Sequence, residues 1–491
     1  MKQEKYKLIR ARLLLPFSEK LGLSTRIEDG YVLTENSQIK AVGQYSNEIG
    51  EKIKADFGNE LQIIGAVNGS NEIPCINGVI LPGFIKAHGH NHEPPLIGIA
   101  KDECLTDWLD HAVNIFTGFL NVKKDDLQAY FGKSASYITF IKAFLDDIHY
   151  GITSAMNHQC NFSKYLVPDM VKAGMDAGTK LIIAVGGQDR NYDKRILDTP
   201  EGAVKRLKDY TTQFKGTKNL TIIPGPDQVF SNSAEMIIAL KKWANENGTL
   251  FHMHSSEEPK TTAWFTKTYG CSPVEYLYKA GVLDSNVILA HQVNTTANDI
   301  RLLSETKTNI VHNPLANTIL GSGMPPLIEM MDAGINIAIS TDGSGSADNQ
   351  NILSAARLAS QYYKAFHKNA TLLKSQDVLE RITIKAAKML KLNAGSLEEG
   401  KDADIILIDL NKPNLTPTRV DNVMENLVWA SDGSEVRWVL ANGKILKDDY
   451  KIIQLNEDVI KQEVFKLSEM LIEYKKNFKE ISDTGARGKN Q

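Results

Sequence analysis

Cysteine is scarce in this chain: four residues among 491, Cys75, Cys104, Cys160 and Cys271, with no CxxC spacing. That argues against a disulfide framework and against a thiolate zinc site, and leaves small buried thiols as the expectation. No apolar run reaches the roughly 18 residues needed to cross a bilayer, so no membrane segment is expected. The opening residues, MKQEKYKLIRARLLLPF, are charged from the second position and precede no small-residue cleavage site, so the expected compartment is the cytoplasm. A basic excess is missing as well. Lys and Arg number 56 against 59 Asp and Glu, a formal charge of −3, with nothing to neutralise a phosphate backbone. Neither nucleic acid nor membrane is an expected partner. There is no internal repeat and no low-complexity tract.

What is present is a large core and a repeated pattern. Apolar residues are 42% of the chain, and its length fits a barrel of about 250–350 residues plus a smaller unit. Residues 1–78 alternate short apolar runs with turn residues, as do ADIILIDL (403–410) and VRWVLANGKIL (436–446), so both chain ends read as β-strands. Between them, eight strand candidates are separated by helical stretches: 78–87, 152–158, 180–185, 220–225, 249–254, 286–291, 309–314 and 335–341. Repeated strand–helix units imply a parallel sheet, and eight of them a closed barrel with its site at the C-terminal strand ends. The fold class expected is therefore α/β: a distorted (β/α)8 TIM barrel at 79–392, with a flanking small β-sandwich from 1–78 and 393–456. A C-terminal helix and polar tail follow at 457–491.

The histidines carry the chemistry. His88 and His90 end the first barrel strand, and residues two apart in an extended segment face the same way, so both imidazoles aim at one point. His254 ends strand five, His291 ends strand six, and Asp342 follows strand eight. All these ends meet over one barrel mouth, where three imidazoles and a carboxylate suit Zn2+ or Fe2+. Packed core histidines and a helix-capping aspartate would be the bland alternative for such a set.

The chain resembles the amidohydrolase superfamily, in particular triazine hydrolases, guanine and 8-oxoguanine deaminases and adenosine-analogue deaminases. The motifs that carry the resemblance are LPGFIKAHGH (81–90), HMHSSEE (252–258), YGCSPVEYL (269–277), VILAHQV (287–293), VHNPLANTILGSG (311–323), STDGSGS (340–346) and GSLEEGKDADIILID (395–409). It implies one divalent metal, zinc first and iron as the alternative, held by His88, His90, His254 and Asp342. His291 would stand beside the activated water without being a required ligand. Glu257 would shuttle protons, with the adjacent Glu258 as the competing carboxylate. Some relatives bridge two metals with a modified lysine on strand four; LTIIPGPD ends in no lysine, which favours one metal. A water whose pKa falls from about 15.7 to near 7 on a metal could attack a C=N carbon, with Asp342 taking its proton.

The implied activity is a deaminating hydrolase acting on an amino-substituted N-heterocycle of purine, pterin or triazine type. Loss of another leaving group, such as chloride, or opening of an imidazolone-type ring are the enzymatic alternatives, and a noncatalytic barrel scaffold is the third. Six residues are candidate substrate contacts. Glu93 stands where guanine deaminases carry glutamine; an ionised carboxylate only accepts hydrogen bonds, so Glu93 would suit an edge rich in N–H groups, or else pair with a nearby cation. His92 could touch substrate, touch His158 at the end of strand two, or lie exposed. Trp108 could pack its segment down or stack on the ligand ring. Arg190 could reach substrate or pair with Asp189. His312 could contact substrate, hydrogen-bond beneath the site or simply pack. IGIAKDECL replaces the family's arginine-containing approach to Asp107-Trp108-Leu109, a departure that bears on the substrate. A homodimer or higher homo-oligomer is expected.

Overall fold

The structure, a computed structural model, describes residues 5–67, 70 and 72–477. The N-terminal strands are β1 (Tyr6–Leu14), β2 (Ile27–Glu35), β3 (Gln38–Gln44), β4 (Leu61–Ile63) and β5 (Ile76–Pro82). The barrel strands are β6 (Phe84–Lys86), β7 (Ile152–Gln159), β8 (Lys180–Val185), β9 (Leu220–Pro224), β10 (Phe251–Ser255), β11 (Val287–His291), β12 (Asn309–His312) and β13 (Ile337–Ile339). After them come β14 (Ile405–Asp409), β15 (Val436–Ala441), β16 (Lys444–Asp448) and β17 (Lys451–Ile452).

Both chain ends build one nine-stranded mixed sheet in the order β17-β16-β15-β14-β5-β1-β2-β3, with β4 paired to β1. Its period-two alternation serves two cores. Val79 and Leu81 of β5 and Ile406 and Ile408 of β14 join the large core that flanks the barrel, while Ile80, Ile405 and Leu407 pack with Trp438 in the sheet's own core. Two expectations need correction. The strand candidate 78–87 is two strands in two sheets, broken at Gly83, whose amide donates to Asp404 O (3.0 Å). A Cβ there would lie 2.3 Å from Thr153 Oγ1, so only glycine lets the chain cross. The region read as all-strand also holds a helix, Asn47–Phe57, capped by Ser46, whose side chain accepts from the Ile49 amide. The turn-rich surroundings hid this short amphipathic run.

The barrel strands form two parallel ladders, β6-β7-β8-β9 and β10-β11-β12-β13. Isolated bonds close the seams. The His254 amide donates to Asp227 O (2.9 Å), while the His88 amide donates to Ser340 Oγ (3.2 Å), which in turn donates to His88 O (2.6 Å). Inside, Ile85, Met156, Ile182, Ile223, Ile288 and Val311 fill the barrel, and helix Ile384–Leu390 plugs its floor with Ala386, Met389 and Leu390. The connection after β6 is long and covers the mouth. It contains the turn Pro94–Leu96 and a helical stretch from Leu105 to Val122, interrupted by a π-helical turn at Leu109–Val113. Helix Glu457–Asn477 packs against it; the tail beyond lies outside the described residues. All four cysteines are free, but only Cys160 and Cys271 are the buried thiols expected; Cys75 is exposed and Cys104 half-buried. No helix among the described residues is long and apolar enough to cross a membrane.

Candidate active site

Six imidazoles crowd the C-terminal barrel mouth. The ring-nitrogen partners decide what they can do. His90 Nδ1 stands 3.0 Å from His158 O, His254 Nδ1 2.9 Å from Asp227 O, and His291 Nδ1 2.8 Å from Asn317 Oδ1. Each partner is an oxygen acceptor, so each Nδ1 carries a proton and each Nε2 points inward. His90 Nε2 and His254 Nε2 are 3.1 Å apart. A cation between them suits this spacing; ligand nitrogens about 2.0–2.1 Å from zinc at tetrahedral angles stand about 3.3–3.4 Å from each other. Asp342 Oδ1 completes the ring, 3.3 Å from His88 Nε2 and 3.6 Å from His90 Nε2. His88 has no hydrogen-bond partner for either nitrogen, though it is fully buried. His88, His90 and His254, and likewise His88, His291 and Asp342, offer ligand atoms within 4.8 Å of one another. Two overlapping triads that share His88 therefore converge closely enough to offer places for a divalent ion.

Burial, reinforced by neighbouring imidazoles, holds His88 well below the usual histidine range. Burial likewise drives His90 to about 3 against the pull of Asp342, and His291 to about 4. These rings are neutral and available to a cation. His254 differs: burial disfavours its charged form, but the Asp227 side chain outweighs that and raises it to about 9. Asp227 Oδ1 lies 3.4 Å from His254 Nδ1. Without a metal His254 therefore holds protons on both nitrogens at neutral pH; a cation at Nε2 would displace the inner one, while Asp227 keeps the proton on Nδ1. Asp227→Asn is expected to weaken zinc binding about 10–100-fold, measured by competition with a metal chelator; an unchanged affinity would remove this role.

Glu257 reaches the cluster from the loop after β10. Its Oε2 lies 3.6 Å from His291 Nε2, and burial raises its carboxyl to about 8 although His254 opposes this. Glu258 points elsewhere, accepting from Thr106 Oγ1 (3.1 Å), so Glu257 is the carboxylate at the site. His291 (φ 74°) and Asp342 (φ 70°) both adopt left-handed backbone conformations, rare for side chains of this kind and concentrated at functional sites. Beneath the HxH pair, buried Lys86 holds Asp147 (2.6 Å), Asn91 and Gln350 (both 3.1 Å), and Gln350 accepts from Thr341 Oγ1 (3.0 Å). This network ties β6 to the loop bearing Asp342. Breaking such a pair costs about 3–5 kcal/mol because the other charge stays buried.

A cleft of about 440 Å³ opens on the cluster. His92, Glu93 and Trp108 line it, together with His90, His254, Glu257, His291 and Asp342. Both His92 ring nitrogens are buried without a partner, and burial lowers it to about 4. Glu93 pairs with no cation. Its Oε2 accepts from the amides of Gly345 (2.9 Å) and Ser346 (3.0 Å), clasping the loop after Asp342, and burial raises it to about 8. A Cβ on Gly343 would lie 1.9 Å from that oxygen, which fixes glycine there. Trp108 is both packed and pocket-facing, in one apolar cluster with Leu96, Leu105 and Phe116.

Three candidates do not line the cleft. Arg190 donates to Tyr269 Oη (2.7 Å) and to Asn232 O, and Asp189 accepts instead from the Ser233 amide (2.8 Å), so the Arg190–Asp189 pair is not formed. His158 lies under the cluster, its Nδ1 2.9 Å from His252 Nδ1 and its carbonyl holding His90. His312 is buried against Tyr363, with ring centroids 5.9 Å apart, and its carbonyl accepts from the Ser340 amide. Sequence reading missed Asp227, Asn317, His252, Cys160 and Tyr192. His252 had a signal, since HMH repeats the HxH spacing; Asp227 stood in a strand end inspected only for lysine.

The family described as "Amidohydrolase family" matches residues 79–446, three quarters of the chain. The chain belongs to the amidohydrolase family. This amidohydrolase is similar to a 5'-deoxyadenosine deaminase of Methanosphaera stadtmanae, 29% identical over 89% of this chain and 96% of that one. It is similar to a 5-methylthioadenosine/S-adenosylhomocysteine deaminase of Thermococcus sibiricus, 30% identical over 86% and 94%. Among solved structures, atrazine chlorohydrolase of Arthrobacter aurescens complexed with zinc superposes with a TM-score of 0.83 at 22% identity, over 94% of this chain and 100% of that one. Adenosine deaminase of Xanthomonas campestris with bound zinc gives 0.79 at 20%, over 95% and 98%. These similarities establish the amidohydrolase barrel with its mixed sheet.

Proposed function

We propose that this amidohydrolase is a zinc-dependent deaminase that releases ammonia from the amine-bearing ring carbon of an adenosine-type purine. The observation that carries it is the pair of inward-facing Nε2 atoms on His90 and His254, closed by His88 and Asp342, with Glu257 alongside. The names of the two archaeal relatives supply the substrate class. Among the described residues lining the cleft there is no lysine or arginine, and four carboxylates stand there, so a phosphorylated nucleotide would find no counter-charge. A nucleoside or free base suits it better.

Zinc bound by His88, His90, His254 and Asp342 would supply Lewis acidity, bringing the pKa of a water to near 7. Asp342, on the loop after β13, would accept a proton from the attacking water. His291, held by Asn317, orients the water toward the ring carbon. Glu257 would donate a proton to the ring nitrogen as the C=N carbon is attacked, then take the proton that the new hydroxyl gives up as the C–N bond breaks and pass it to the departing amine; the proton held by Asp342 would restore Glu257. Trp108 and the apolar cover exclude bulk water from the exchange. Chloride loss, the chemistry named for the triazine hydrolase neighbour, is the second reading on the same residues. The four unpaired cysteines suit a reducing cytoplasm.

The test is an ammonia-release screen over adenine, adenosine, 5'-substituted adenosines, guanine, pterins and aminotriazines, with metal analysis on the same sample and adenosine monophosphate as the charged control. Ammonia from a purine by a zinc-containing preparation is the expected result. Release of chloride from chlorotriazines without ammonia from any amine would replace the reading, and an iron-containing active sample would replace zinc.

A further inference from the structure

We infer that the C-terminal helix positions the substrate-facing wall, with Leu467, Ser468 and Leu471 as its positioning residues. The helix, Glu457–Asn477, lies outside the matched family residues 79–446. Its apolar residues Ile460, Val464, Leu467 and Leu471 recur at intervals of four, three and four, one continuous stripe on a helix. The stripe divides between two cores. Ile460 and Val464 are buried in the large core flanking the barrel. Leu467 and Leu471 are buried in a separate cluster with Leu96, Leu105, Trp108 and Val113, and the last three of these line the cleft. One end of the helix is therefore fastened to the rigid scaffold and the other to the outer side of the pocket wall.

One polar tie and one ring contact act at the same end, and an ion pair holds the other end. Ser468 Oγ donates to Pro95 O (3.0 Å), in the turn that directly follows His92 and Glu93. Glu463 pairs with Lys133 (2.8 Å), and the Tyr474 ring lies 4.9 Å from Phe119. The wall needs this support from behind. The Leu105–Val122 stretch has a π-helical turn at Leu109–Val113, where the regular hydrogen-bond ladder is interrupted, and its inner face borders the cleft rather than packed protein. Leu467 and Leu471 touch no ligand candidate. Their influence runs through Trp108, Leu105 and the Pro94–Leu96 turn. A wall of this kind meets the substrate equally before and during the reaction, so loosening it raises KM and leaves kcat and the metal in place.

Two measurements on the full-length holoenzyme test this. Leu471→Ala is expected to raise KM for the purine nucleoside about tenfold with kcat within about twofold and unchanged zinc content. Ser468→Ala, which removes one hydrogen bond and no core volume, should shift KM in the same direction by less. Hydrogen exchange should quicken across 105–122 in Leu471→Ala and stay unchanged in β11. Ile53→Ala, a core truncation in the distant sheet cluster, serves as the reference for general destabilisation and should leave both readouts alone. The KM arm rests on the deaminase reading; the exchange arm does not, so it decides the role of the helix even if no heterocycle is turned over. Unchanged exchange across 105–122, or kcat and zinc lost together in Leu471→Ala, would overturn the inference.

Discussion

Glu257→Gln should retain its zinc and lose nearly all turnover. The glutamine matches the carboxyl in size and stays in the same buried niche, 3.6 Å from His291 Nε2. The side chain belongs to neither group of converging ligand atoms that contains His88, so the metal has no reason to leave. What disappears is a group that can give a proton and take it back. Positioned proton transfer is worth roughly 10²–10⁴ in rate, and Glu257 would serve two transfers, at the ring nitrogen and at the amine. The check is kcat for ammonia release beside zinc per chain. Turnover within a few-fold of the parent protein would take Glu257 out of the mechanism, and Glu258, held by Thr106, could not replace it without breaking that contact.

Asp342→Asn should behave differently, losing zinc affinity and rate together. Asp342 is the one anionic member of the ligand set, and it meets His88, His90 and His291 within 3.3–3.6 Å. Asparagine keeps an oxygen for a metal but brings no charge and cannot accept the proton of the attacking water. The expected loss of rate at saturating zinc is about 10²–10⁴-fold, on top of weakened binding. A variant with full zinc content and full rate would show that another group takes the proton. The contrast between the two variants separates a proton carrier that is no ligand from one that is also a ligand.

Much of this was legible from residues alone, for identifiable reasons. The eight barrel strands are short, β-branched and bounded by helices of amphipathic period, so seven of the eight candidates coincide with single strands. The exception, 78–87, is continuous in hydrophobicity because both of its halves are buried on both faces; only Gly83 marks the change of sheet. The convergence of the candidate ligands was legible because strand ends in a barrel meet whatever their separation in sequence. The supporting partners were not. Asn317 and Asp227 act through hydrogen bonds made from a helix and a loop whose orientation no periodicity encodes. Arg190 misled for the same reason: a cation after strand three looks toward the mouth in one dimension, and only the position of Tyr269 shows otherwise.

The nine-stranded sheet has a bearing on how the chain comes to be folded. β5 pairs with β1, which precedes it in the chain, and with β14, which emerges only after the whole barrel has been synthesised. Until then β5 presents an open edge rich in Ile and Val, the kind of edge that recruits foreign strands. The sheet can be completed only after the barrel has been made, when β14 docks on β5 and β15, β16 and β17 extend it, so the chain's two ends are joined late.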